Sequence, residues 1–190
     1  MTSVFLIRPQ APADLAAVDQ LHEEAFGPGR FARSAYRVRE ASHGPQIALT
    51  AWDGATLVGA IQLTAVTIGG QPGAMLLGPL AVAPAYKGMG GGQRLIRDSL
   101  AAARALGKRL VVLVGDPPYY KRTGFSGVPL GQIVFPGPAD PARILALELQ
   151  PGALGDYRGV IAADNTPVPA VVAATPSVRP AQEQPACVPA

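Results

Sequence analysis

The spacing of apolar residues changes from helical to alternating and back along the chain, and each change predicts an element. Leu15, Val18, Leu21, His22 and Ala25 recur at helical spacing behind Pro12, which predicts a helix opening at Pro12 and running to about Phe26. Gly27-Pro28-Gly29 stops it, and a second helix is expected over Phe31 to Glu40. Val4 to Arg8, Ile47 to Trp52, Leu57 to Val66 and Ala74 to Val82 read as strands. Asp53-Gly54 marks a hairpin between the second and third of these, and Gly69 to Gly73 supplies the next turn. Leu95, Ile96, Leu100, Ala103 and Leu106 return to helical spacing until Gly107 ends the run. Arg109 to Val114 reads as a strand, apolar without interruption from Leu110 on, as suits the middle of a sheet. A short helix over Pro117 to Arg122, ended by Gly124-Phe125, and strands at Ile133 to Phe135 and Arg143 to Leu149 complete the pattern. The order β-α-α-β-β-β-α-β-α-β-β predicts an α/β (mixed α+β) fold, a mixed sheet of about seven strands with helices on both faces.

From about Ile161 the periodicity vanishes. The last thirty residues hold six prolines and eight alanines, with Asp164, Arg179 and Glu183 as the only charges. The expected organisation is a folded domain over residues 1–160 and a flexible Pro/Ala-rich tail over 161–190. A tail segment that docks on a partner subunit is the rival reading.

Composition narrows the classes. At 190 residues, 48% apolar and 15% charged, the chain has enough apolar content for a core and is not wholly disordered. A net charge of +3 is too small to argue for nucleic acid and suits an anionic small ligand equally well. No apolar run approaches the roughly 18 residues that span a bilayer. Met1 to Arg8 lacks the parts of a signal peptide, so a cytoplasmic protein with no membrane contact is expected. Cys187 is the sole cysteine, which excludes an internal disulfide, and its Cys-Val-Pro-Ala ending reads as a chance match to a prenylation box.

The segment Gly78 to Ile96 carries the chemistry. It reads as a buried strand interrupted by Gly78-Pro79, then a tight glycine loop, then a helix start. Unpaired N–H groups in a first helical turn, reinforced by the helix dipole, make a cradle for phosphates. Five glycines between residues 78 and 92 exceed the needs of one turn and let a ligand approach the backbone closely. No Gly-Lys-Ser/Thr ending and no Gly-x-Gly-x-x-Gly spacing is present, so nucleotide loops of those kinds fit worse. Proline withholds a ladder N–H and glycine favours a bulge, so Gly78-Pro79 predicts a local break in the strand.

With these residues in place, the chain resembles the GNAT superfamily of acyl-CoA-dependent N-acyltransferases, in its YhbS-like branch. Lys87-Gly88-Met89-Gly90-Gly91-Gly92 is similar to the family loop, with Lys where Gln or Arg is usual. Gly78-Pro79-Leu80-Ala81-Val82 and the phrase from Val112 through Gly115-Asp116-Pro117 to Tyr120 and Gly124-Phe125 resemble two further motifs of the branch. The likeness runs from the first strand to about Val160. It implies a mostly antiparallel GNAT-like sheet that uses acetyl-CoA or another acyl-CoA as co-substrate. The pyrophosphate of coenzyme A would lie on the loop from Lys87 through Gly88, Met89, Gly90, Gly91 and Gly92 to Gln93. The pantetheine arm would pair with main-chain groups of Leu80 and Val82. An N–H near Leu80 or Ala81 would hold the thioester oxygen as charge develops.

Tyr120 stands where the family places its tyrosine acid, able to protonate the departing thiolate, with Tyr119 as the fallback. Both tyrosines could instead simply pack beside Phe125. An alkylamine near pKa 10.4 must lose a proton before it attacks. Glu23 and Glu24 lie off the apolar face of the first helix, and Glu24 is the candidate base, although helix-surface glutamates are commonly only solvated. His22 reads as a core histidine. The strand Ala74 to Val82 carries no carboxylate, which removes it as a source of the base. Arg30, Arg33 and Arg37, near Tyr36, could greet an acidic acceptor or form a solvated face. Lys121 and Arg122 could approach the ribose phosphate of the donor.

The expected activity is acetyl or acyl transfer from acyl-CoA to a small-molecule or peptide primary amine by direct attack, with no metal. A covalent acyl-cysteine route is disfavoured because Cys187 lies in the tail. Two alternatives remain open: a non-catalytic acyl-CoA-binding module, and an acyltransferase that draws its donor from an acyl carrier protein. Dimers are common in this family, so a homodimer is among the expected assemblies.

Overall fold

A computed structural model describes residues 5–27 and 34–165. The predicted start at Val4, the positions of Arg30 and Arg33, Cys187 and the segment from residue 166 onward lie outside the described residues.

Among the described residues, nine strands form the sheet. Its main path runs β1 (Leu6–Pro9), β2 (Gln46–Asp53), β3 (Thr56–Ile68), β4 (Gln71–Val82), β5 (Leu110–Val114), β8 (Ile144–Glu148) and β6 (Ser126–Gly127). All neighbours on this path are antiparallel except β4 and β5, which run parallel. Strand β9 (Gly159–Ala163) pairs with the far end of β3 and with β7 (Ile133–Val134). β1 and β6 are therefore the two ends of the path.

The hairpin between β2 and β3 turns at Gly54-Ala55, where Gly54 adopts φ +58°. The next turn is Gly69-Gly70, and β4 begins at Gln71, three residues earlier than the sequence predicted. Pro12 opens a 3-10 turn over Pro12–Asp14 before helix α1 (Leu15–Phe26). Val18 and Leu21 are the buried residues of α1, whereas Leu15, expected on the apolar face, is exposed. α2 covers Ser34–Glu40, α3 Gly91–Ala105 and α4 Pro117–Lys121.

Alternation along β3, shifted by a bulge at Val58, sorts the core into two faces. Val58, Ile61 and Leu63 pack on one face with Leu95, Ile96 and Leu100 of α3. Ala60 and Ala81 meet Val18 and Leu21 of α1 on the other, where Val66 and Ile68 join Val38 of α2 and Ile161 of β9. β5 lies between α3 and the second cluster and is buried on both faces, which explains its unbroken apolar run.

Strand β9 corrects the expected domain boundary at 160/161. Its five residues pair across that point, Ile161 is fully buried, and Asp164 is buried beyond it. The fading apolar periodicity was the wrong marker, because β9 buries only Ile161 and a strand with one core position shows no periodicity. The two-residue β6 also escaped the pattern, being too short to show alternation.

Candidate active site

The site is built where β4 and β5 part. They pair in register only at Ala74↔Leu110, Met75↔Val111 and Leu76↔Val112. Beyond that point β4 stays bound to β3 through Leu80, Ala81 and Val82, but leaves β5. The cause is local. Between Ile61↔Leu80 and Leu63↔Leu77 the ladder gains one extra residue on β4, a bulge that falls at Gly78-Pro79. Gly78 takes φ +119°, a conformation that only glycine adopts without strain.

The ladder also fixes which amides face the split. Ala83 N–H donates to the Val58 carbonyl at 2.9 Å, so its alternate, Ala81, bonds toward β3 as well. Leu80 and Val82 then turn their N–H and C=O groups away from β3, toward the opening. Ala81 is thereby removed from the predicted set, because its N–H belongs to the ladder and its side chain is buried.

The glycine loop follows. A 3-10 turn at Pro84–Tyr86 is anchored by the Tyr86 hydroxyl, which donates to Asp53 Oδ2 at 3.1 Å, and by the Tyr86 ring edge-on to Phe5. Gly88 and Gly90 adopt φ +82° and +85°, and a Cβ on either would meet no atom within 4 Å. Both glycines are thus required by backbone conformation and leave open space in front of the loop. Gly90 caps α3 with no side-chain hydrogen bond, so the N–H groups of Gly91, Gly92 and Gln93 project from the helix end. Met89 departs from the expected set: its N–H turns back to the Tyr86 carbonyl at 3.4 Å, and its side chain is exposed. Lys87 also spends its N–H within the turn, on Pro84, and its side chain is exposed.

Tyr119 and Tyr120 connect this loop to the split. Tyr119 places its hydroxyl against Gly92, where any Cβ would collide with it. The rings of Tyr119 and Tyr120 meet edge to face at 5.0 Å, and Tyr120 meets Phe125 similarly at 5.8 Å. Burial, with a smaller contribution from Tyr119, pushes the Tyr120 phenol up to about 12, against a small opposing pull from Arg143. Gly115 belongs to the phrase that resembles the family motif, but its role is visible only in the structure. A Cβ there would overlap Tyr120 Cε2 and lie 2.8 Å from both Tyr120 Cδ2 and Leu113 Cδ1. Gly115 N–H donates to the Arg143 carbonyl at 2.9 Å, and Arg143 Nε donates back to the Gly115 carbonyl at 3.3 Å.

A cleft of about 810 Å³ opens from the split. Its floor is Leu77, Gly78, Pro79 and Leu80, with Val114 and Tyr120 on the β5 side. One wall is α1, presenting Asp19, His22, Glu23 and Phe26; another is α2, presenting Tyr36 and Arg39; the loop at 138–143 adds Asp140 and Arg143. Glu24 is not among the lining residues. It is exposed and accepts a hydrogen bond from Gln20 Nε2 at 3.1 Å, one residue around the helix from the cleft-facing Glu23. His22, read as a core residue, is half-buried on the cleft wall with its ring 6.0 Å from Phe26. Arg37 is exposed and does not line the cleft, whereas Arg39 does. Lys121 and Arg122 are exposed. Among the described residues, no group of three or more His, Cys, Asp or Glu side chains could hold a metal ion.

The family described as an acetyltransferase (GNAT) domain matches residues 6–128, which include the split, the glycine loop and both tyrosines. The chain belongs to the GNAT family. Its domain is 35% identical to the uncharacterized N-acetyltransferase YjhQ of Escherichia coli over 60% of this chain, and the match spans 65% of that relative's length. It is 28% identical to the uncharacterized N-acetyltransferase YhbS of the same organism, over 64% of this chain and 73% of YhbS. The crystal structure of Escherichia coli YhbS in complex with CoA superposes with a TM-score of 0.73 at 25% identity, covering 84% of this chain and 89% of YhbS. A Brucella melitensis GNAT acetyltransferase in complex with acetyl-CoA gives a TM-score of 0.63 at 31% identity, covering 85% and 97% of the two chains. The GNAT domain thus shares its mostly antiparallel, helix-flanked sheet with these proteins. No helix among its described residues is long and apolar enough to cross a membrane.

Proposed function

We propose that this GNAT domain transfers an acetyl group from acetyl-CoA to a primary amine by direct attack. The observation that carries the reading is the split itself: Leu80 and Val82 offer main-chain groups on one side, with Tyr120 on the other and a roomy cleft in front. The similar YhbS and Brucella melitensis proteins, in complex with CoA and acetyl-CoA respectively, support the choice of donor.

The residues fit that donor. The open space before Gly88 and Gly90 and the first-turn N–H groups of Gly91, Gly92 and Gln93 suit a pyrophosphate. The outward amides of Leu80 and Val82 suit an amide-bearing arm, and the Leu80 N–H suits the oxygen of a thioester as it gains charge. Acetyl-CoA, when bound, supplies the activated acyl carbon.

The chain's own groups handle the protons. Glu23 faces the cleft and takes a proton from the incoming ammonium, directly or through water, leaving a neutral amine to attack. The Tyr120 O–H points its hydrogen bond at the departing sulfur. A phenol held at about 12 is a weaker acid than an ordinary thiol near pKa 8.5, so complete transfer runs uphill by roughly three orders of magnitude. Tyr120 therefore acts as a hydrogen-bond donor while the carbon–sulfur bond breaks. The same elevated value keeps it protonated throughout the neutral range.

Calorimetry with coenzyme A, followed by thiol release from acetyl-CoA with a panel of amines, tests the proposal. Binding plus amine-dependent thiol release is expected. Binding with no release for any amine would leave a binding module, and no binding of either coenzyme A or acetyl-CoA would overturn the donor.

A further inference from the structure

We infer that the acceptor carries a carboxylate as well as its amine, and that Arg39 is the residue that recognises it. The inference rests on the acetyltransfer proposed above and narrows its acceptor.

Arg39 is half-buried on α2 and lines the cleft. Its guanidinium reaches the bulge: a Cβ on Gly78 would lie only 3.1 Å from Arg39 Nη1. The group also sits 5.8 Å from the centre of the Tyr36 ring, within cation–π reach. A guanidinium thus stands at the floor of the cleft, beside the split where the acyl group would be presented. Facing it from α1 are the exposed carboxylates of Asp19 and Glu23. The cleft therefore offers a negative wall to an ammonium and a positive fork to an anion, both within one cavity of about 810 Å³.

Charge decides the kind of anion. Among the described lining residues, Asp19, Glu23 and Asp140 outnumber Arg39 and Arg143, so a doubly charged phosphate would meet more repulsion than a singly charged carboxylate. The planar guanidinium matches a carboxylate through two parallel hydrogen bonds. A polyamine or another multiply cationic acceptor would have to place positive charge against Arg39 near the reaction centre. An amino acid or a related amino-carboxylate satisfies both walls.

The test uses the full chain, acetyl-CoA and matched acceptors: free amino acids, their amides, and the corresponding decarboxylated amines. The expected result is a kcat/KM at least tenfold higher for the carboxylate-bearing member of each set. Arg39→Gln should shrink that ratio about tenfold through KM, and Arg39→Lys should restore part of it, with thermal unfolding confirming that each variant folds. Equal or better turnover of the bare amines would overturn the inference, leaving acetyltransfer intact. So would an Arg39→Gln loss confined to kcat and equal for every acceptor, which would place the guanidinium on the thioester instead. With coenzyme A bound, calorimetric titration of the same acceptors gives a second readout, and no preference for the carboxylate would again overturn the inference. Failure to bind acetyl-CoA at all would overturn the parent proposal, and the inference with it.

Discussion

Gly115→Ala is the substitution whose consequence the structure defines most narrowly. Gly115 has no positive φ, so alanine introduces no backbone strain there, and crowding is the whole perturbation. The added methyl would overlap Tyr120 Cε2 and stand 2.8 Å from Tyr120 Cδ2 and Leu113 Cδ1, against a comfortable carbon–carbon separation of roughly 3.5–4.0 Å. The Tyr120 ring must retreat by about 1 Å or swing aside, and a misplacement of that size removes on the order of 10²-fold from a rate. Overpacking should also lower stability by about 1–3 kcal/mol. The measurements are kcat at saturating acetyl-CoA, the Kd for coenzyme A and the thermal midpoint. Gly127→Ala, where no atom lies within 4 Å of the new methyl, is the control expected to leave all three unchanged. A double-mutant cycle with Tyr120→Phe sharpens the test, because displacing a ring that has already lost its hydroxyl should reduce kcat little further. Full kcat in Gly115→Ala would refute this account of the crowding. So would a loss as large in the Tyr120→Phe background as in the parent.

Tyr120→Phe alone should lower kcat by about 10²- to 10³-fold while leaving coenzyme A affinity in place, and unchanged turnover at saturating acetyl-CoA would remove Tyr120 from its role. Because the proton-donating phenol is held at about 12, activity lost by its ionisation should appear only as pH rises toward that value, so the kcat profile should show no fall from this group between about pH 8 and 10. Gly90→Ala should cost about 1–2 kcal/mol from forcing a left-handed conformation and should weaken coenzyme A binding in calorimetry; full affinity would disconnect the loop from the donor. Asp14 is held below the usual carboxylate range first by its hydrogen bonds from Arg8 and then by the Ala11 N–H, at 2.7–2.8 Å. Its stabilising contribution is therefore present above the unfolded-chain value near 3.9 and lost as pH falls through the lower folded one. Asp14→Asn should reduce the thermal midpoint at pH 7 and flatten its decline below about pH 4.

The donor side of the site was legible in the sequence because it depends on backbone. Glycines at 88 and 90 and a Gly-Pro pair at 78–79 leave chemical marks that survive without coordinates, since each position demands an unusual φ or a missing N–H. The acceptor side was not. Whether Glu23 or Glu24 faces the cleft turns on about 100° of helix rotation, and apolar spacing alone placed the buried face of α1 slightly wrongly by including Leu15. Arg39 and Arg143 reach the cleft from elements far apart in the chain, and nothing local distinguishes them from surface arginines. Gly115 stood in the resembling phrase without a stated role, because that role is to leave room for a ring five residues later. Strand β9 was hidden for a related reason: its pairing with β3 spans about a hundred residues of sequence, and five small or β-branched residues beside a proline-rich run resemble the run itself.

The ends of the sheet path have a consequence for how the molecule behaves in a crowded solution. β1 offers four residues and terminates in Pro9; β6 offers two, with Pro129 two residues further on. An unpaired strand is an invitation to another chain, and its strength grows with the number of consecutive amides on offer. Here that number is small at both ends, and a residue lacking an N–H stands close to each. A sheet this rich in Val, Leu and Ile is the kind that long open edges would turn into a template for edge-to-edge pairing, and the brevity of these two margins lowers that hazard.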